Sequence, residues 1–101
     1  MEISTHYRNN GSVLVIDIGE KFDFGKVEDF RNAYSDLPHN VAHIIIDLAK
    51  TEYMDSSALG MLLNMQKALV DRSLKYTIEN TRPPVARILK ISRFDKKFDI
   101  S

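Results

Sequence analysis

The chain has 101 residues, with 14 Lys and Arg against 14 Asp and Glu, three His and no Cys. That length holds one domain around one core, burying roughly 65% of the surface that the unfolded chain exposes. The zero net charge argues against nucleic acid or an anionic membrane surface as the main partner, and the lack of cysteine excludes disulfides and thiolate metal sites.

The start of the chain, M-E-I-S-T-H, has neither the basic nor the apolar segment of a signal peptide, and no apolar run approaches the length of a membrane span. The expectation is a cytoplasmic protein. Glu2 to Arg8 alternates weakly, and Ser12 to Ile18 (S-V-L-V-I-D-I) is strongly β-forming. Between them Asn9, Asn10 and Gly11 tolerate positive φ, which predicts an opening hairpin. Gly19 ends the second strand, and G-E-K-F-D-F-G leads to a helix N-cap at Asp23 or just after it. Val27, Phe30, Tyr34 and Leu37 recur at helical spacing, so the first helix is expected over Phe24 to Leu37, stopped by Pro38.

Val41 to Leu48 (V-A-H-I-I-I-D-L) is a continuous, β-branched apolar run, read as a strand covered on both faces. Strand, helix and strand in this order imply a right-handed parallel crossover. Next comes Y-M-D-S-S-A-L-G-M-L-L-N-M-Q-K-A-L-V, from Tyr53 to Val70. Asp55, Ser56 and Ser57 can all cap a helix, and Leu59, Leu62, Leu63, Gln66, Leu69 and Val70 are spaced as its buried face. That helix is expected to fade near Asp71 to Ser73.

Leu74 to Glu79 returns to a two-residue alternation, and Thr81-Arg82-Pro83-Pro84 starts a third helix with Val85, Ile88, Leu89 and Ser92 turned inward. Phe94, Phe98 and Ile100 hold the last residues to the body as a short edge strand or turn. The fold class is therefore α/β: a mixed central sheet of about four to five strands with helices packed against it, in a single domain over residues 1–101.

Asp47 ends a strand, as the Mg²⁺-binding acid of a nucleotide hydrolase does, but no G-x-x-x-x-G-K-[ST] accompanies it and a plain strand-end acid is the expected reading. The paired acids of a phospho-aspartate receiver are also missing near the first strand. Ser57 opens a helix after a strand, yet D-S-S-A-L lacks the glycines of a nucleophile elbow, and His6, His39 and His43 are scattered. Neither catalysis nor a metal or cofactor site is expected. Met54, Met61 and Met65 read as core filling ahead of an adaptable partner surface, and Lys90, Arg93, Lys96 and Lys97 as a solvated basic tail.

A serine hydroxyl in the first turn of a helix lies close to unpaired N–H donors and the positive end of the helix dipole. It can cap, contact a ligand, act as a weak nucleophile or accept phosphate. On spacing alone, capping is the expected role of Asp55-Ser56-Ser57.

The run M-D-S-S-A-L-G-M-L-L at Met54 to Leu63, preceded by I-I-I-D-L, resembles the signature of STAS domains of the anti-sigma factor antagonist type, and Gly19, Phe22 and Asp23 match that family's G-x-x-[LF]-D element. In element order the likeness covers essentially the whole chain. It implies a bacterial partner-switching module in signal transduction and transcription regulation, not an enzyme. A GHKL-type serine kinase, doubling as anti-sigma factor or similar inhibitor, would phosphorylate Ser56, and a PP2C-type phosphatase would reverse it. The partner-binding face implied is Asp23, Met54, Asp55, Ser56, Ser57 and Ala58. Ala58 stands where the family most often has glycine, which would tighten a close approach by a partner there. Unphosphorylated chain would bind the partner, and phosphorylated chain would release it. The alternative is a STAS-like domain that binds a small ligand or assembly partner without phosphorylation.

Overall fold

The computed structural model describes residues 3–101; Met1 and Glu2 lie outside the described residues, and with Glu2 the expected start of the first strand. Strand β1 (Ser4–Arg8) and β2 (Val13–Asp17) form the expected antiparallel hairpin. Its turn takes Asn9, Asn10 and Gly11 through φ of 54°, 58° and 89°, a conformation that Asn and Gly accept at least cost.

From β2 the sheet grows in parallel. Strands β4 (His43–Asp47), β6 (Lys75–Glu79) and β7 (Asp99–Ile100) add in turn, giving the order β1-β2-β4-β6-β7. Helix α1 (Val27–Ser35) connects β2 to β4, α2 (Ser56–Ala68) connects β4 to β6, and α3 (Pro83–Ile91) connects β6 to β7. This is the mixed sheet of five strands with three helices that the alternation of β and α patterns predicts.

The helices share one face of the sheet. Phe30 and Tyr34 of α1, Ala58, Met61, Leu62 and Met65 of α2, and Val85 and Leu89 of α3 form one core with Leu14, Ile16, Ile44, Ile46 and Ile78. The intervening residues Val13, Val15 and Ile45 make a separate cluster on the opposite face. Among the described residues no helix layer covers that face. Arg8 from β1 and Glu79 from β6, 3.7 Å apart, reach across β2 and β4, and His43 Nε2 lies 2.7 Å from Thr77 Oγ1. The strand read as covered on both faces is therefore buried twice, once under helices and once under its neighbours' long polar side chains.

Several boundaries and faces differ from expectation. The first helix opens as a 3-10 turn (Phe24–Lys26), becomes α-helical at Val27 and ends at Ser35, because the restriction that Pro38 places on Leu37 acts before the proline itself. The buried face of α2 is Ala58, Met61, Leu62 and Met65, while Leu63 and Val70 are exposed. The whole face is turned by about one residue, roughly 100°, from the leucine-weighted reading. Ser92 ends α3 and is exposed instead of facing inward. The last residues stay attached: Phe94 and Phe98 are buried, their rings stacked at 5.8 Å, and β7 pairs with β6.

One element has no counterpart in the sequence reading. Strand β3 (Lys21–Phe22) and β5 (Tyr53–Met54) pair in parallel as a separate two-stranded ribbon, with Lys21 opposite Tyr53 and Phe22 opposite Met54. Thr51, fully buried, donates its hydroxyl to the Gly19 carbonyl at 2.6 Å, and the Glu52 N–H donates to Glu20 O at 2.8 Å. The ribbon is thereby fixed at its base before its strands run into the two helix starts.

Candidate functional site

Each strand of the ribbon runs into an aspartate cap. After β5, Asp55 has extended backbone and accepts the Ala58 N–H at 3.2 Å, while the Ser57 hydroxyl donates to the same oxygen at 2.5 Å. These donors stabilise the carboxylate, so the Asp55 carboxyl lies below its ordinary value, the Ser57 hydroxyl being the largest cause. After β3, Asp23 is likewise extended and accepts the Gly25 N–H at 3.0 Å. Because the ribbon is parallel, the two caps come side by side, and the Asp55 N–H donates to the Phe22 carbonyl at 3.4 Å.

Three successive residues of α2 then have three different environments. Ser56, the first helical residue, is exposed, and among the described residues no side-chain hydrogen bond engages its hydroxyl. Ser57 is half-buried and spends its hydroxyl on Asp55. Ala58 is completely buried. At 100° per residue, three consecutive positions point outward, sideways and inward.

The structure thus brings Asp23, Asp55, Ser56 and Ser57 together at one end of the molecule. Met54 and Ala58, which the resemblance places on the contact face, instead send their side chains into the core, Met54 at 3% exposure and in keeping with its reading as core filling. Met54 pairs through its backbone with Phe22, and the methyl group of Ala58 fills core space, so it does not obstruct a partner. Met61 and Met65 are core residues too. Two exposed aromatics were not singled out: Phe24, just after Asp23, is 74% exposed, and Tyr53, two residues before Asp55, is 51% exposed. Their signal in the sequence is an aromatic beside each cap that falls outside the apolar period of the following helix.

The alternative chemistries find less support in the geometry. His43 sits at the start of β4, bonded to Thr77 on the sheet face opposite the helices, whereas Ser57 lies beyond the end of that strand. Burial holds its imidazole below the ordinary value, with Lys75 adding to the effect. Asp47 is a strand-end acid that accepts from the Ala49 N–H at 3.0 Å and the Asn80 side chain at 3.1 Å. Its neighbours in register, Asp17 and Glu79, pair with Lys50 and Arg8. Among the described residues no group of three or more His, Cys, Asp or Glu could hold a metal ion, and no helix is long and apolar enough to cross a membrane.

Comparison with known proteins agrees with this architecture. A STAS-domain containing protein of Pseudomonas aeruginosa strain UCBPP-PA14 is 39% identical over 92 residues, 91% of each chain. Among solved structures, a putative anti-sigma factor antagonist from Thermotoga maritima superposes with a TM-score of 0.80 at 18% identity, covering 97% of this chain and 84% of that one. The Bacillus cell fate determinant SpoIIAA in its phosphorylated form gives 0.73 at 20% identity, covering 98% and 90%. At such identities the two structures speak for the fold. The profile of the STAS domain itself matches residues 5–101, nearly the entire length, and the chain belongs to the STAS domain family.

Proposed function

We propose that this STAS domain is a phosphoregulated binding module of a partner-switching system, not an enzyme, acting in the bacterial cytoplasm. Its partner is an inhibitor protein of the anti-sigma factor kind that is also a GHKL-type serine kinase. Unphosphorylated chain binds that partner through the outward surface of the paired caps, with Asp23, Asp55, Ser56, Phe24 and Tyr53 at the contact. The kinase transfers a phosphoryl group to the Ser56 hydroxyl and binding is lost. A PP2C-type phosphatase restores it.

The observation that carries the reading is the unengaged, exposed hydroxyl of Ser56 at the first position of α2. A dianion added there meets the positive end of the helix, worth about 0.3–1 kcal/mol, against the neighbouring carboxylate of Asp55. Folding is therefore little affected. Docking is affected strongly, because a phosphate pressed into an interface built for a hydroxyl loses water without gaining a matching cation. A cost of ~3 kcal/mol weakens binding more than a hundredfold. Support also comes from a fold shared with SpoIIAA, a protein solved in a phosphorylated form.

The test is incubation with the cognate kinase and ATP, followed by mass spectrometry of the peptide containing Ser56. Phosphate on Ser56, constitutive binding by Ser56→Ala and impaired binding by Ser56→Glu are expected, with thermal stability nearly unchanged. Unaltered affinity of Ser56→Glu for the same partner would refute the switch.

A further inference from the structure

Gly60 is a residue that the fold does not ask for. It lies within α2, without the positive φ that would demand glycine, and is exposed. A Cβ built on it meets nothing within 4 Å. Glycine inside a helix nevertheless costs about 1 kcal/mol relative to alanine. Alanine there would be accommodated and would strengthen the helix, so the glycine has no justification in packing or backbone geometry.

Its position relative to Ser56 supplies one. Residues four apart in a helix share a face, and Ser56 and Gly60 both lie opposite the buried stripe of Ala58, Met61, Leu62 and Met65. Helical side chains lean toward the N-terminus, so a residue covers the surface of the turn before its own Cα. A side chain at position 60 would therefore lie over the turn that begins with Ser56. Ser57 hides its hydroxyl by bonding Asp55, and Ser56 hides its own behind nothing.

We infer that Gly60 is a clearance residue, keeping the approach to the Ser56 hydroxyl bare along α2 so that the large active-site surface of a protein kinase can reach it. The inference rests on Ser56 being the phosphoacceptor. It assigns to the solvent-side glycine the close-approach role that the buried Ala58 cannot have. The methyl of alanine already narrows that approach, and leucine or glutamine at the same position covers the acceptor. The reaction itself is unchanged: the Ser56 oxygen forms the new bond to the γ-phosphorus of ATP, ADP leaves, and the hydroxyl proton goes to a base supplied by the kinase.

A kinase-free experiment isolates the geometry. The chain has no cysteine, so Ser56→Cys supplies a unique thiol at this position. Its rate of labelling by a bulky polyethylene-glycol maleimide is measured with Gly60 intact and with Gly60→Ala, Gly60→Gln or Gly60→Leu, alongside Lys67→Leu as an exposed control farther along the helix. The expected result is a graded loss, measurable for Gly60→Ala and severalfold for the two long side chains, with the control near native, although Gly60→Ala raises the melting temperature. A Gly60→Ala rate equal to that with Gly60 intact, or equal rates across the series, overturns the inference. In parallel, Gly60→Leu with Ser56 intact is incubated with the cognate kinase and ATP, where severalfold slower phosphorylation than wild type is expected. Wild-type speed overturns clearance, whereas a wild-type chain never modified at Ser56 overturns the phosphoacceptor reading and leaves the labelling result to judge the geometry.

Discussion

Replacing Asp55 tests how the site is held. Asp55→Ala removes an acceptor for two donors, the Ala58 N–H and the Ser57 hydroxyl. Loss of an N-cap costs about 0.5–2 kcal/mol across proteins. Here the middle of that range applies, because the Ala58 N–H keeps a second acceptor, the Asp55 backbone carbonyl at 3.1 Å, and the half-buried Ser57 can turn toward water. A loss of about 1 kcal/mol lowers the melting temperature of a domain this size by roughly 4–8 °C. Asp55→Asn keeps an acceptor and loses the charge, so it should cost less. The two variants also differ in pH dependence. The wild-type carboxyl is depressed below its ordinary 3.8, so its contribution is complete above that pH and disappears as pH falls through the lower folded value. Acidification should therefore close the gap between wild type and Asp55→Asn in chemical denaturation. A gap that stays constant on acidification, or an Asp55→Ala chain as stable as wild type, refutes the account of the cap.

Other substitutions probe the parts that present the cap. Leu62, fully buried on α2, should lose about 2–5 kcal/mol of unfolding free energy as alanine, and urea denaturation will measure it. Gly19 has φ of 91° and its carbonyl accepts the Thr51 hydroxyl, so Gly19→Ala should cost at least about 1 kcal/mol and loosen the ribbon, read as faster amide exchange at Asp55. His43, with its imidazole held below the ordinary 6.5 chiefly by burial, favours the neutral form in the folded chain. Stability should therefore fall as pH drops below 6.5 toward the folded value and then level off, a slope that His43→Gln should flatten in pH-resolved thermal melts.

What could be read from the sequence depended on how local its cause was. The hairpin was legible because Asn9, Asn10 and Gly11 carry the turn's requirement themselves, and β4 because five of the eight residues of V-A-H-I-I-I-D-L are large and apolar. The ribbon was not. Each of its strands has two residues, and their pairing joins Lys21 to Tyr53 across the intervening helix and strand, leaving no periodicity to detect. The phase of α2 was misread for a different reason. Ala58, Leu59, Met61, Leu62 and Leu63 are all apolar, so a face drawn through the leucines leaves out the alanine and the two methionines, although Met61 and Met65 taken by themselves read as core filling and do fill the core. Asp55 and Ser56 are legible as neighbours at a helix start, whereas the resemblance puts Met54 and Ala58 on the contact face as members of one contiguous run, and their side chains point into the core, as the core-filling reading of Met54 has it. In a helix, two positions along is about 200°, close to the opposite side.

That rotation explains why the cap matters to more than stability. Within the first turn of α2 the chain has one hydroxyl free, one committed and one methyl buried, and a shift in helical phase by a single residue would exchange these positions. Ala58 resists such a shift from below, since any larger or polar group turned into its place would enter the core of Leu62, Phe22 and Met54. Asp55 resists it from above, through bonds to positions 57 and 58. The two constraints act on opposite sides of the same turn, leaving Ser56 as the position that neither engages. Asp55→Ala frees the Ser57 hydroxyl and relaxes one of these constraints. It should therefore blur discrimination between the two serines, giving a mixture of phosphopeptides where phosphate at Ser56 alone is expected of the wild type. Unchanged selectivity in Asp55→Ala would mean that Ala58 and the core alone set the phase.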